Sequence, residues 1–122
     1  MESKIWLITG ASKGFGKVWA EAALKRGDKV AATARNTETL KELVSEYGDA
    51  VLPVTLDVDN REDCFSAVEK VVSHFGKLDI LINNAGYGHF GYVEEISEVE
   101  ARQQIETNVF GSLWMIQAFC LL

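Results

Sequence analysis

The sequence is poor in proline, cysteine and histidine, with one, two and two of these residues among 122. No stretch rich in proline, glycine and serine separates two halves, so we interpret residues 1–122 as one domain. Cys64 and Cys120 stand alone, without the paired spacing of zinc ligands, and no metal site is predicted. Isolated cysteines favour reduced thiols and a cytoplasmic protein.

Positive charge and long apolar runs are also scarce. Twelve Lys and Arg residues against eighteen Asp and Glu residues give a net charge of −6, without a basic cluster. Nucleic acid is therefore not expected as a partner. The longest apolar run, residues 109–122, is interrupted by Ser112 and Gln117 and is shorter than the about 20 residues of a membrane span. Strand residues begin at Ile5, which leaves no expected space for a signal peptide, and no membrane association is predicted.

A glycine-rich stretch follows the first apolar run. Residues 5–8 predict a short buried strand, and Gly10, Gly14 and Gly16 follow it with the spacing Gly-x-x-x-Gly-x-Gly. A strand that turns tightly into a helix suits a dinucleotide, because the unpaired N–H groups at the start of the helix attract a pyrophosphate. The alternative is a glycine turn that only connects the strand and the helix.

Strands and helices alternate along the rest of the chain. Strands are predicted at residues 29–34, 51–56 and 78–83, and helices at residues 14–26, after Asn36, after Asp59 and after Ser97. Four strand-helix repeats predict an α/β fold, a Rossmann-type doubly wound parallel sheet in the order 3-2-1-4 with four helices, present in part. Pro53 predicts that strand three lies at an edge, because proline cannot donate to a ladder.

Helix starts and faces can also be predicted. Asp59 with Glu62 and Ser97 with Glu100 have the spacing of capping pairs for the third and fourth helices. The long fourth helix has an apolar face, formed by Ala101, Ile105, Val109, Ile116 and Phe119.

The end of strand two bears on the choice of cofactor. Arg35 follows the strand, and Ala34 stands where an NAD site would place an acidic residue. A guanidinium group can pair with a 2′-phosphate, and Lys13 in the glycine loop points to the same region. The pattern favours NADP, with NAD as the weaker candidate. The alternative for Arg35 is a solvated surface charge.

Polar residues also follow strands three and four. Asp57 could accept a hydrogen bond from an adenine amino group and Val58 offers its backbone, although Asp57 could instead only help to cap the next helix. Asn83 and Asn84 precede Ala85 and Gly86. Two amides at a strand end are costly to bury unless they are hydrogen-bonded, so they are expected to lock this loop to its neighbours and to border the ribose. A purely structural role is equally open for Asn84.

Residues 9–16, Asp57 with Val58, residues 83–86 and Asn108 together resemble the N-terminal half of a short-chain dehydrogenase/reductase. The resemblance covers nearly the whole chain. It implies that the glycine loop binds the cofactor pyrophosphate, that Arg35 and Lys13 select NADP, and that Asp57 and Val58 hold adenine. The glycine-loop residues concerned are Gly10, Ser12, Lys13, Gly14, Phe15 and Gly16. It further implies that Asn83, Asn84, Ala85 and Gly86 stabilise the central strand beside the cofactor.

The same resemblance makes Asn108 the catalytic Asn, in a helix that distorts locally so that a backbone carbonyl holds a water on the proton path. The alternative is an ordinary buried polar residue. Family members continue with a Ser and a Tyr-x-x-x-Lys pair, and no tyrosine here has a lysine four residues later. We therefore interpret the chain as a truncated or partial NADP-dependent oxidoreductase, inactive alone, that would act on a small-molecule carbonyl or alcohol.

Several alternatives stay open at this stage. The chain could be a non-catalytic nucleotide-binding or self-assembling module, or a methyltransferase-type domain. Tyr87, Phe90 and Tyr92 could line an apolar substrate pocket or pack over the sheet end. His74 is expected to be solvated, and His89, near the expected substrate, has no chemical partner in the sequence. An open edge at strand four and an uncovered last helix predict a homo-oligomer.

Overall fold

The computed structural model describes residues 2–88 and 90–122, so the prediction for His89 lies outside the described residues. Four parallel strands form one sheet in the order β3-β2-β1-β4. The strands are β1 (Ile5–Ile8), β2 (Lys29–Ala34), β3 (Val51–Thr55) and β4 (Ile80–Ile82). The predicted Rossmann-type order is confirmed, and Pro53 lies on the edge strand β3, opposite Ala32.

Helices cover both faces of the sheet. They are α1 (Gly14–Lys25), α2 (Lys41–Tyr47), α3 (Arg61–Phe75), α4 (Glu98–Ile105) and α5 (Ser112–Cys120). A π-helical turn, Glu106–Gly111, joins α4 and α5 into one continuous helix, which gives the predicted four. Single 3₁₀ turns lie at Thr37–Leu40, Gly48–Ala50 and Val93–Glu95. Within the described ranges, no helix has both the length and the apolar character needed to cross a membrane.

The apolar core has two parts, one on each face of the sheet. Leu7 and Ile8 are consecutive residues of β1 whose side chains point to opposite faces, and neither is accessible to solvent. Leu7 belongs to the cluster formed with α3 and α5, and Ile8 to the cluster formed with α1 and α2. The sheet is therefore covered on both sides, and its polar loops are confined to the strand ends.

One of the two predicted helix caps is correct. The Ser97 hydroxyl accepts a hydrogen bond from the Glu100 N–H over 3.1 Å at the start of α4. The Asp59 cap is wrong, because α3 begins at Arg61 and Asn60 is the residue directly before it. Asn60 Oδ1 accepts from the Asp63 N–H over 3.1 Å. Asp59 instead accepts from the Thr107 hydroxyl.

The apolar face predicted for the last helix does not form its main contact with the core. Ile105, Val109 and Ile116 are each about half exposed, whereas Met115 and Ala118 are buried against α3. The π turn explains part of the difference, since one extra residue in a turn rotates the following side chains around the helix axis. Phe119 packs against the core, whereas Ile105, Val109 and Ile116 form an accessible apolar surface.

Candidate functional site

A crevice of about 580 Å³ opens at the carboxyl ends of the strands. Four chain segments line it: the glycine loop after β1 and the segments that follow β2, β3 and β4. This is the place where doubly wound sheets bind their ligands, because the strand order reverses there. Ten predicted residues line the crevice: Gly10, Ser12, Lys13, Gly14, Phe15, Arg35, Asp57, Val58, Ala85 and Gly86.

Three predicted residues do not line the crevice: Gly16, Asn83 and Asn108. Residues that the sequence did not assign to cofactor binding line it as well, among them Asn36, Thr39, Asp59, Tyr87 and Thr107. Asn36 and Asp59 each follow a strand closely, and this position in the sequence could have predicted that they line the crevice. Thr107 lies in the distant last helix, so only the tertiary fold brings it to the site.

The glycine loop has the backbone conformation that its sequence suggests. Gly10 and Gly14 have φ values of 63° and 62°, in the left-handed region where a side chain is strained. Lys13 precedes α1 without a side-chain cap, so the first N–H groups of α1 have no such partner. They are available to an anion at the positive end of the helix dipole.

Phe15 forms an exposed apolar surface beside this loop. Its side chain is 73% exposed and stacks on the Trp19 ring, with 5.7 Å between the ring centroids. The two residues are four apart on α1, the spacing that brings side chains together on one helix face. The wall of the crevice is therefore apolar next to the N–H groups at the start of α1.

Thr9 and Asn84 lock the loop after β4 to the end of β1. The buried Thr9 hydroxyl accepts hydrogen bonds from the N–H groups of Asn84 and Ala85, both over 2.9 Å. The Asn84 amide donates to the Gly10 carbonyl over 3.0 Å. Asn83 turns away and donates to the Ser112 carbonyl over 3.2 Å. Both amides thus bond neighbouring backbone, as predicted for this pair.

The corner of the crevice next to β2 is positively charged. Lys13 and Arg35 are exposed there, and neither forms an ion pair within the described part of the chain. By contrast, Lys17 on α1 pairs with Glu42 over 3.3 Å. Ala34 at the end of β2 provides no carboxylate. This corner can therefore accept an anion without displacing an acidic partner.

The neighbouring part of the crevice is formed by the turn after β3. Asp57 Oδ1 accepts from the Asp59 N–H over 3.0 Å, and Asp59 Oδ1 accepts from the Thr107 hydroxyl over 2.6 Å. Val58 lies so close to Gly111 that a Cβ there would be 2.8 Å from the Val58 side chain. The turn after β3 and the π turn are thus held together. Asp57 does not cap α3, since Asn60 does.

Asn108 lies within the π turn, where the resemblance implied a local distortion of the helix. Its Oδ1 accepts from the Tyr87 N–H over 3.0 Å, and its Nδ2 donates to the Tyr87 carbonyl over 2.6 Å. Gln104, one turn earlier, donates to the same carbonyl over 3.3 Å. The side chain therefore fixes the loop after β4, while the Asn108 carbonyl accepts from the Ser112 hydroxyl over 3.4 Å.

Other titratable groups lie apart from this crevice. His74 packs edge-on against Phe75 with 4.6 Å between ring centroids, on the surface of α3. Burial raises the pKa of the Cys64 thiol to about 11. Among the described residues, no group of three or more His, Cys, Asp or Glu side chains is arranged to hold a metal ion.

Comparison with known proteins agrees with this geometry. A family model described as short chain dehydrogenase matches residues 4–121. The oxidoreductase BOA17 of Botryotinia fuckeliana is 44% identical over 117 residues, which are 95% of this chain and 43% of that relative. The chain thus spans less than half the length of this relative.

Two solved structures that contain a nicotinamide cofactor or an analogue are also similar. A 3-ketoacyl-(acyl-carrier-protein) reductase from Brucella melitensis, complexed with NADH, has a TM-score of 0.90 and 39% identity, over 95% of this chain and 48% of that one. An alcohol dehydrogenase from Thermococcus sibiricus, complexed with 5-hydroxy-NADP, has a TM-score of 0.91 and 37% identity, over 98% of this chain and 52% of that one.

Proposed function

The chain belongs to the short-chain dehydrogenase family of oxidoreductases, and from this premise we propose that it is the NADP-binding half of a reductase of small carbonyls or alcohols. Similar structures contain NADH in one case and 5-hydroxy-NADP in the other, so family membership leaves the choice between the cofactors to this chain's own residues.

Two cations at the β2 corner, which form no ion pair with any described residue, are the observation that carries the choice of NADP. Lys13 and Arg35 line one side of the crevice, and Ala34 places no carboxylate beside them. A 2′-phosphate accepts charge-assisted hydrogen bonds from both groups, whereas the 2′-hydroxyl of NAD would leave the cations without an anion.

The remaining crevice residues have complementary roles in the proposal. The N–H groups of the glycine loop hold the pyrophosphate, the turn at Asp57 and Val58 borders adenine, and Phe15 provides an apolar wall. When bound, the cofactor supplies or accepts a hydride at its nicotinamide ring. Asn108 fixes Gly86 and Tyr87 next to that ring. These 122 residues contain no Tyr-x-x-x-Lys pair, so we expect them to bind NADP without turning over substrate.

The proposal that the substrate is apolar is based on the loop after β4. Tyr87, Phe90 and Tyr92 on the loop after β4 are exposed aromatic residues, and Phe90 is almost fully accessible. Such a surface suits an apolar carbonyl or alcohol.

The cytoplasmic location predicted from the isolated cysteines is likewise part of the proposal.

A second candidate function is a module that binds nucleotide and assembles with a copy of itself. The exposed apolar face of the last helix favours it: Ile105, Val109, Leu113 and Ile116 are each 41–51% exposed. We propose that this face packs against the same face of a second copy, since a self-complementary apolar stripe is buried by two-fold pairing.

Equilibrium titration with NADPH and NADH tests the cofactor proposal. The wild-type chain is expected to bind NADPH at least about tenfold more tightly, in line with the worth of charge-assisted contacts. Arg35→Asp should remove or reverse this preference. Lys70→Asp, which makes the same change in charge on α3 outside the crevice, should retain it. Equal wild-type affinities, or a preference for NADH, would contradict the proposal.

A further inference from the structure

Two consecutive residues of the π turn hold two different walls of the crevice. The Thr107 hydroxyl donates to Asp59 Oδ1 over 2.6 Å, in the turn after β3. The Asn108 side chain bonds both backbone groups of Tyr87, in the loop after β4, over 3.0 and 2.6 Å. Adjacent side chains on a helix point about 100° apart, so one turn of helix can reach both segments. The spacing between these two walls is therefore set by one short piece of backbone.

The bond from Thr107 to Asp59 has the length of a strong hydrogen bond. A hydroxyl that donates to a carboxylate forms a charge-assisted bond of about 2.5–2.7 Å, and 2.6 Å is found here. Asp59 is itself fixed, because its N–H donates to Asp57 Oδ1 over 3.0 Å. Four residues after Thr107, a Cβ on Gly111 would lie 2.8 Å from the Val58 side chain. The turn after β3 thus meets the π turn at two points, by a hydrogen bond and by close packing.

We propose that Thr107 is a positioning residue that fixes the distance between the two ends of the cofactor site. The inference rests on the proposed function, in which the turn at Asp57 borders adenine and the loop at Tyr87 borders the nicotinamide ring. A dinucleotide contacts both walls at once, whereas its adenosine half contacts only the turn after β3. Thr107 therefore stabilises the bound dinucleotide by holding the walls at the right spacing before it binds.

The substitution Thr107→Val removes the hydroxyl and keeps a β-branched side chain of similar size. Two ligands are compared: NADPH and adenosine 2′,5′-bisphosphate, which is the adenosine half of the cofactor. The dissociation constant for NADPH should rise at least about fivefold, in line with the loss of one charge-assisted bond. That for the bisphosphate should stay within about twofold, because this ligand does not span the two walls. Thr107→Ser keeps the hydroxyl and should bind NADPH within about twofold of wild type.

Asp59→Ala breaks the same bond from its other end. If the bond carries the effect, the double variant Asp59→Ala/Thr107→Val should lose no more affinity for NADPH, relative to the bisphosphate, than either single variant does. Thr55→Val is the matched control, since Thr55 is exposed on β3 and does not line the crevice. This variant should leave both dissociation constants within about twofold of wild type.

Several results would overturn the inference while the cofactor proposal stands. Equal weakening of both ligands by Thr107→Val would mean that Thr107 contacts adenosine or acts only on the fold. Unchanged binding of both ligands would mean that the bond to Asp59 does not set the spacing. Additive losses in the double variant, or weak NADPH binding by Thr107→Ser, would also contradict it. Should Thr107→Val not fold by circular dichroism, Asp59→Ala decides by the same ratio.

Other results concern the proposed function itself. If the wild type prefers NADH, the choice of NADP is wrong, and the role of Thr107 is decided by the same ratio measured with NADH and adenosine diphosphate. A wild-type chain that binds neither dinucleotide overturns both proposals.

Discussion

The side-chain amide of Asn84 donates a hydrogen bond to the backbone carbonyl of Gly10 over 3.0 Å, and Gly16 lies against both groups. A Cβ on Gly16 would overlap the Gly10 carbonyl and would lie 2.5 Å from Asn84 Nδ2. The glycine loop, the start of α1 and the loop after β4 are thus packed without room for one methyl group.

Gly16→Ala should therefore both destabilise the chain and disturb the crevice. Overpacking of this kind costs about 1–3 kcal/mol, because backbone atoms must move. Urea unfolding measures the free energy of unfolding, and NADPH titration measures how tightly the crevice binds the cofactor. Gly88→Ala is the control, since its Cβ would make only an ordinary 3.4 Å contact with the Phe90 ring. Equal stability of the two variants would show that the glycine loop is not packed as described.

Asp28 should make unfolding depend on pH. Its buried carboxylate accepts from the Lys4 N–H over 3.1 Å and from Trp6 Nε1 over 3.0 Å. The Lys4 backbone bond is the largest cause that holds the pKa of Asp28 below its ordinary value of 3.8. A lowered folded-state pKa stabilises the fold above the unfolded-state pKa, and this contribution is lost as the pH falls through the folded-state value.

Asp28→Asn should flatten that acid dependence. The free energy of unfolding of the wild type should fall as the pH drops below about 4, and the variant should lose less over the same range. At pH 7 the variant should be less stable by about 1–3 kcal/mol, because a charged acceptor is replaced by a neutral one. If the free energy of unfolding depends on pH in the same way in both proteins, Asp28 is excluded as the source of the acid dependence.

Ile116 should contribute to self-association. Its side chain is 47% exposed on the apolar face of α5, so Ile116→Glu should leave the fold intact while it places a charge in the proposed interface. Sedimentation should show a dimer for wild type and a monomer for the variant. Val18→Glu, at a 58% exposed position on α1, should stay dimeric. A well-folded wild-type monomer at every concentration would contradict the second-copy proposal.

The two cysteines should react very differently with a thiol reagent. Cys64 is fully buried, and burial raises the pKa of its thiol to about 11, with neighbouring carboxylates adding to the shift. Cys120 is exposed at the end of α5. At pH 8 one thiol per native wild-type chain should therefore react with the reagent, and almost none should react in native Cys120→Ser. Both thiols should react in the denatured wild type. Two fast equivalents from the native chain would contradict the burial of Cys64.

The sequence determines the fold more directly than the site. Gly10, Gly14 and Pro53 predict a turn, a helix start and an edge strand through local conformational limits, and each is found where expected. Asp59 and Asn60 are adjacent candidates for one cap, and only the first helical residue, Arg61, decides between them. The π turn changes which side chains face the core, which a regular helical period does not describe.

Contacts between distant segments explain the other differences. Tyr87 and Thr107 line the crevice because Asn108 and Asp59 hold them there, across 21 and 48 residues of sequence. Residue types and spacing indicate where a dinucleotide would bind, but the contacts that hold Tyr87 and Thr107 at the crevice require coordinates.

A crystal structure of the chain grown with NADP would show where the cofactor lies. We expect the pyrophosphate against the N–H groups at the start of α1 and the 2′-phosphate within hydrogen-bonding distance of Lys13 and Arg35. A crevice left empty at saturating NADP, or a 2′-phosphate directed into solvent away from these two residues, would contradict the cofactor proposal.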